Sequence, residues 1–415
     1  MATSPTTIIS KISWAAMLSV VLLAGQSSAA QSGELEWNDA MKAAVKALRE
    51  SQYAKAEELL RAAVGEAEKF GPEDRRLSRS LSALGLVLYS RGNYAEAEQV
   101  HLRAVSILER TVGPRHLQVA EALIGLAGIY ERQGKYSEAE GLLARSLAIR
   151  QKAFGSDHPD VANGLNNLGA LYNSQGKYAQ AELFYRRSLE ILERVYGPGD
   201  LNLAGVISNL GMVYKTEERN AEAERMLKRA LVIREAALGI GDPDVAVSLG
   251  NLAALYNSQK RYGEAEPLLR RAQTILEKVH GREHPQLGRI LGFRGDLFAA
   301  QGNYIEAEAA FQRALGIWEG ALGSEHMQVA VTLASLAKVY TAHGKYGEAE
   351  PLLQRALTIV ESVRGPKAPE FASDLEAYAM LLAKMNRTTE AKEIEARAKA
   401  IRAEHRDDVS PERDR

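Results

Sequence analysis

HPDVANGLNNLGALYNSQGKYAQAE, residues 158–182, decides the fold. Within it Leu165, Leu168, Gly169 and Tyr172 stand at i, i+3, i+4 and i+7, which puts them in one apolar stripe along an α-helix. Gly176 follows, a residue suited to the left-handed conformation that ends a helix, and a second helix begins near Tyr178. In the neighbouring copy Ala139, Leu142, Leu143 and Ser146 give that second helix its own stripe. Two helices and a short turn therefore make one unit.

The unit repeats along the chain. Gly71, Gly113, Gly155, Gly197, Gly239, Gly281, Gly323 and Gly365 fall 42 residues apart without a gap. Ala56, Ala97, Ala139, Ala181, Ala223, Ala265, Ala307, Ala349 and Ala391 keep the same period after one 41-residue step, which gives nine units. Small residues recur where paired helices must cross closely: Gly85, Ala127, Gly169, Gly211, Ala253, Gly295, Ala337 and Ala379 on the first helix, and Ala104, Ser146, Ser188, Ala230, Ala272, Ala314, Ala356 and Ala398 on the second. Twelve of the 16 tyrosines sit in two further slots, at the end of the first stripe and the start of the second helix, and read as packing residues.

The Leu-(Gly/Ala)-x-x-Tyr, Gly-x-Tyr, Ala and Ala/Ser slots resemble the tetratricopeptide repeat. The 42-residue period, with His158-Pro159-Asp160-Val161-Ala162 and Gln175-Gly176-Lys177-Tyr178, is similar to the kinesin light chain-type subclass, in a bacterial exported form. The resemblance covers roughly residues 36–402 and implies an all-α solenoid of about nine helix-turn-helix repeats. Departures are local: Glu218 and Lys260 replace the turn glycine, Arg294 replaces a stripe leucine, and Ala43, Ala44 and Ala47 stand for bulky core residues in the first unit. The first and last units are expected to act as caps, and the charged stretch 403–415 as a disordered tail.

Residues 1–30 hold no acid and one base, Lys11, then the apolar run Ile12–Gly25 and Ser28-Ala29-Ala30. That layout is expected of a secretory signal peptide cleaved after Ala30; the run is shorter than the ~20 residues of a membrane helix. A periplasmic or secreted location and a solenoid at 31–402 follow, with no membrane span after cleavage. The 415 residues carry 52 Lys and Arg against 53 Asp and Glu, a net charge of −1 with no basic stripe, so a nucleic-acid partner is not expected. The absence of cysteine removes disulfides, thiolate metal sites and cysteine nucleophiles together.

His116, His158, His284 and His326 share one slot with Asp74, Asp200 and Asp242. Because proline follows in several copies (Pro159, Pro243, Pro285), helix capping explains the slot better than a metal or acid–base ladder. Glu96, Glu138, Glu222, Glu264, Glu306 and Glu348 open Glu-Ala-Glu triplets in the first turn of the second helix, where acids suit the helix dipole. No nucleophile elbow, phosphate loop or dinucleotide fingerprint occurs, so the chain reads as non-enzymatic and free of cofactors.

What remains is a surface. A solenoid offers a groove lined by its first helices, and Asn163, Asn166, Asn167 and Asn173 lie off the core stripe of theirs. Asn167, Asn209 and Asn251 hold one slot in three successive repeats, a ladder of amides able to bond the backbone of an extended peptide. In the resembled family this slot commonly binds peptide. Lys215, Asn257, Arg289 and Phe293 join them as candidates, the last two as a site for an aromatic or acidic anchor. The expected partner is a protein or peptide; the other readings are a structural or self-associating envelope component and a glycan-binding accessory.

Overall fold

The computed structural model describes residues 28–366 and 368–409. Among these residues eighteen α-helices follow one another with no strand. They pair in sequence as α1 (Ser28–Arg49) with α2 (Tyr53–Glu68), α3 (Arg75–Ser90) with α4 (Tyr94–Thr111), α5 (Leu117–Arg132) with α6 (Tyr136–Phe154), and α7 (Pro159–Ser174) with α8 (Tyr178–Tyr196). After a 3₁₀ turn at Leu201–Leu203 come α9 (Ala204–Thr216) and α10 (Asn220–Leu238), α11 (Pro243–Ser258) and α12 (Tyr262–His280), and α13 (Pro285–Ala300) and α14 (Tyr304–Leu322). Two further pairs close the series, α15 (Met327–Ala342) with α16 (Tyr346–Arg364) and α17 (Pro369–Lys384) with α18 (Thr388–Val409). The expected leader lies outside the described residues except for Ser28–Ala30, which open α1, and α18 runs past residue 402 to Val409. No helix among the described residues is long and apolar enough to cross a membrane.

The chain divides into two compact units, the first ending at Gln175 and the second beginning at Gly176. Within the first, α3, α5 and α7 touch in turn; within the second, α9, α11, α13, α15 and α17 do. The odd-numbered helices thus form one layer in each unit, and the even-numbered helices pack across them.

Local chemistry sets the boundaries. Asp74, His116, His158, Asp200, Asp242, His284 and His326 each accept the backbone N–H two residues on, at 2.8–3.3 Å, and so cap the helices that follow. The histidine slot is a set of caps. At the turns Gly92, Gly134, Gly176, Gly302 and Gly344 take φ of 73–82°, and Glu218 and Lys260, which stand in the same slot, are forced to φ 60°. The crossing points are closed: the periodic alanines from Ala56 to Ala349 are wholly buried. In the first repeat Trp37 supplies the bulk that its alanines lack, its Nε1 donating to Ser80 Oγ at 2.8 Å.

A polar clamp ties most repeats of the second unit to the next. The Tyr214 hydroxyl donates to Glu182 on the preceding helix at 2.9 Å while Arg219 reaches the same carboxylate at 2.6 Å and stacks over the Tyr214 ring at 4.1 Å. Tyr256, Arg261 and Glu224 repeat the arrangement, and Tyr340, Lys345 and Glu308 do so with lysine. The glutamates are the second acids of the Glu-Ala-Glu triplets in two of these clamps, so the triplet has two tasks: its first acid meets the helix dipole and its second joins repeats.

Candidate functional site

The ten candidate residues all stand on odd-numbered helices, in two sets. Asn163, Asn166, Asn167 and Asn173 belong to α7 of the first unit. Asn209 and Lys215 on α9, Asn251 and Asn257 on α11, and Arg289 and Phe293 on α13 belong to the second. Neighbouring odd helices touch, which is why residues 42 apart in sequence share one face within a unit.

In the first unit the amides are unequally available. Asn163 is exposed and Asn173 half-buried, but Asn166 and Asn167 are nearly buried. Asn167 makes no side-chain hydrogen bond within the described protein. Two charged residues at the end of α5 are structural: Glu131 is buried and accepts from the Ser174 hydroxyl, and Arg132 donates from Nε to Tyr89 Oη at 2.9 Å. Close packing of successive odd helices covers them.

The second unit holds the stronger set. Asn209 is 3% exposed and belongs to the packing between helices rather than to an open groove. Asn251 and Asn257 are half-buried on α11, and neither amide bonds to the protein. The Oδ1 of Asn257 is buried with no donor. An unmet buried carbonyl costs about 1–3 kcal/mol unless water or a ligand supplies a donor.

Charge alternates across this face. Removal from water lowers the Lys215 ammonium, with Asp296 opposing the shift. It raises the Asp296 carboxyl, with Lys338 and Lys215 pulling back. These three come from α9, α13 and α15, so the face runs through successive repeats. Phe293 is not a free anchor. A Cβ at Gly250 would stand 3.2 Å from its ring, which rests on the α11 backbone and fills the gap between α11 and α13. Gly292 beside it is open, with nothing within 4 Å of where a Cβ would be.

Sequence reasoning missed Arg234, Ser208 and Ser248. Arg234, on α10, donates from Nη1 to Ser208 Oγ at 3.1 Å and to Ser248 Oγ of the next repeat. The same slot holds Leu108, Leu192, Leu276, Trp318 and Val360 in some copies but Arg150 and Arg402 in others, so the sequence did not single Arg234 out.

The tetratricopeptide repeat family model matches eight overlapping stretches that together run from residue 40 to 404. Among solved structures, BtubC (BKLC) from P. vanneervenii is 23% identical, covers 62% of this chain and 94% of its own, and superposes with a TM-score of 0.43. A putative kinesin light chain from Podospora anserina with nearly identical TPR-like repeats is 21% identical, over 60% of this chain and 97% of its own, with a TM-score of 0.32. Aspartyl phosphate phosphatase F from Bacillus subtilis is 15% identical over 92% of this chain and 96% of its own, with a TM-score of 0.53; at that identity the likeness is one of fold alone. No curated protein matches the sequence.

Proposed function

The chain belongs to the tetratricopeptide repeat family, whose repeats serve as protein-interaction scaffolds, and on that premise we propose that it is a non-enzymatic scaffold of the bacterial cell envelope that holds an extended peptide segment of a partner protein. The observation that carries the reading is the pair Asn251 and Asn257, amides on one helix of the second unit with no internal hydrogen bond and one buried oxygen unmet. A peptide backbone supplies both the donors and the acceptors such amides lack, whatever its sequence. Asn167 offers the same chemistry in the first unit. The envelope assignment rests on the apolar run and small residues before Gln31.

A crosslinking pulldown of the tagged, natively exported chain, run beside Asn251→Ala/Asn257→Ala, tests both parts. Wild type should capture one partner that the variant loses, and calorimetry with the captured segment should show about 1–3 kcal/mol weaker binding. Unchanged affinity overturns the groove assignment. A mass that retains residues 1–30 on the isolated protein overturns signal cleavage.

A further inference from the structure

The histidine that caps α13 differs from the other caps in its neighbour. His284 accepts the Gln286 backbone N–H through Nδ1 at 3.3 Å, and the His280 ring at the end of α12 stacks on it, with centroids 4.1 Å apart and planes 17° from parallel. The slot of His280 holds Phe154, Tyr196, Leu238, Leu322 and Arg364 in other copies, so this is the one repeat in which both slots are histidine. His158 has opposite surroundings: its ring lies on Phe154 at 4.3 Å, and the Asp160 carboxylate stands 3.6 Å from its Nδ1.

That geometry decides what a proton does at His284. Nδ1 caps the helix only while it is bare, because a protonated imidazole carries N–H on both nitrogens and accepts nothing. The new charge also sits at the positive end of the α13 dipole and against a second imidazole. The charged groups nearby are Glu277 and Lys278 on α12, Arg282 and Glu283 in the turn, and Arg313 on α14, which takes Glu277 at 2.9 Å. From α11, Asp242 and Asp244 stand one repeat back in the positions that match His284 and Gln286. Among the described residues no carboxylate lies within ion-pairing distance of either ring. Burial, and then the His280 ring, hold the His284 imidazolium down at about 4, where an ordinary histidine titrates near 6.5. A base lowered in this way favours the neutral native state, so the stability it lends is whole above about pH 6.5 and is lost as the pH falls toward 4.

The joint on which this acts has little in reserve. The clamp of tyrosine, base and glutamate is missing between α12 and α13, with Phe298 in place of the tyrosine and Asn303 in place of the base. The ties that remain include the Ile290 and Phe293 side chains over Gly250, Arg294 with Gln273, and Arg313 with Glu277.

We propose that the His280–His284 stack makes the α12–α13 joint an acid-opened joint: protonation removes the His284 cap, sets like charges against each other, and frees the first turn of α13 while the Asp242-capped α11 stays closed. Where a peptide lies along α9 to α13, acid then weakens its hold by loosening α13; that consequence rests on the peptide reading above, whereas the joint itself does not.

Two measurements on the full chain, neither needing a partner, test the joint between pH 7 and pH 4.5. In a histidine side-chain NMR titration His284 should have its midpoint at least about one pH unit below the ordinary 6.5. Amide hydrogen exchange, corrected for its intrinsic pH dependence, should show protection in the first turns of α13 falling at least about tenfold relative to those of α11. His284→Asp, which copies the caps of two neighbouring repeats, should abolish that fall, and His280→Leu, which copies the repeats on either side, should lessen it. A His284 midpoint at or above 6.5, or an undiminished fall in either variant, overturns the joint. Because neither measurement involves a peptide, failure of the peptide reading and failure of this one give different results.

Discussion

His101 occupies on α4 the place that Leu143, Leu269 and Leu353 fill in later repeats, and it does so between two glycines. A Cβ at Gly85 on α3 would stand 1.9 Å from its Nδ1, and one at Gly125 on α5 would stand 2.6 Å from its Nε2. The small-residue slot is therefore matched to the side chain 16 positions later. Gly295 likewise makes room for the Phe311 ring, at 2.7 Å, whereas Ala127, Ala253 and Ala337 precede leucines at that spacing and Gly211, before Leu227, is the exception. Smallness was legible in the sequence; its graded matching to a partner was not, because a repeat pattern shows each slot's own size and hides what lies opposite. Gly85→Ala should destabilise by about 2 kcal/mol in urea unfolding, and the same change in a His101→Leu background should be neutral or stabilising, as helix propensity alone favours alanine. Equal effects in the two backgrounds would show that ring and glycine are independent. Burial pushes the His101 imidazolium down to about 4, against the nearby Ala97 carbonyl, while an unfolded histidine titrates near 6.5. The native state prefers the neutral ring, so its contribution is complete above pH 6.5 and is lost as pH falls from 6.5 to 4, by about 3 kcal/mol. His101→Leu should abolish that part of the acid sensitivity, read as the change in urea midpoint between pH 7 and pH 4.5.

At the scale of elements, the tyrosine clamp shows which joints are strong. Arg261 and then Lys228 hold the Glu224 carboxyl down at about 2, so this clamp stays charged through ordinary acidification. The joint from α12 to α13 lacks it. Phe298 stands where a tyrosine would be, Asn303 replaces the basic turn residue, and Glu266 turns to Arg270 at 2.8 Å instead. Arg294, the departure from a stripe leucine, lies over the Phe298 ring at 5.2 Å, so the odd arginine and the missing hydroxyl belong to one local rearrangement. Phe298→Tyr should restore a hydrogen bond to Glu266 and add about 1 kcal/mol, and Tyr256→Phe should remove a similar amount from the joint before it. Chemical denaturation of the two variants checks both signs, and a destabilised Phe298→Tyr would mean that the Arg294 arrangement excludes the hydroxyl. The helices themselves were readable from their caps and turn glycines. The clamp was not, since it depends on three residues from two repeats meeting, and only one of them belongs to the stripe that fixes the period.

At the scale of the molecule, the architecture was legible because the chain states it nine times, while the sites lie in departures from that statement. Asn257 is distinguished by a buried amide oxygen with no donor in the protein, a fact that does not belong to the period. A repeat array whose units contact chiefly their neighbours derives its stability from a sum of local terms, so removing one whole period keeps the remaining interfaces in register. Deletion of residues 220–261 joins Arg219 to Tyr262 as Arg261 is joined now, and deletion of 304–345 joins Asn303 to Tyr346 in the same way. Both should retain the helix content per residue of the full chain by circular dichroism, with a lowered midpoint and a calorimetric enthalpy that exceeds the van't Hoff value. They should differ in function. The first deletion removes Asn251 and Asn257 and should lose peptide binding, whereas the second leaves α9 to α13 whole and should keep it. If the two deletions are equally inactive while equally folded, recognition is spread over the array rather than placed on three consecutive repeats, and a single sharp transition in either would show that the repeats are coupled far beyond their neighbours.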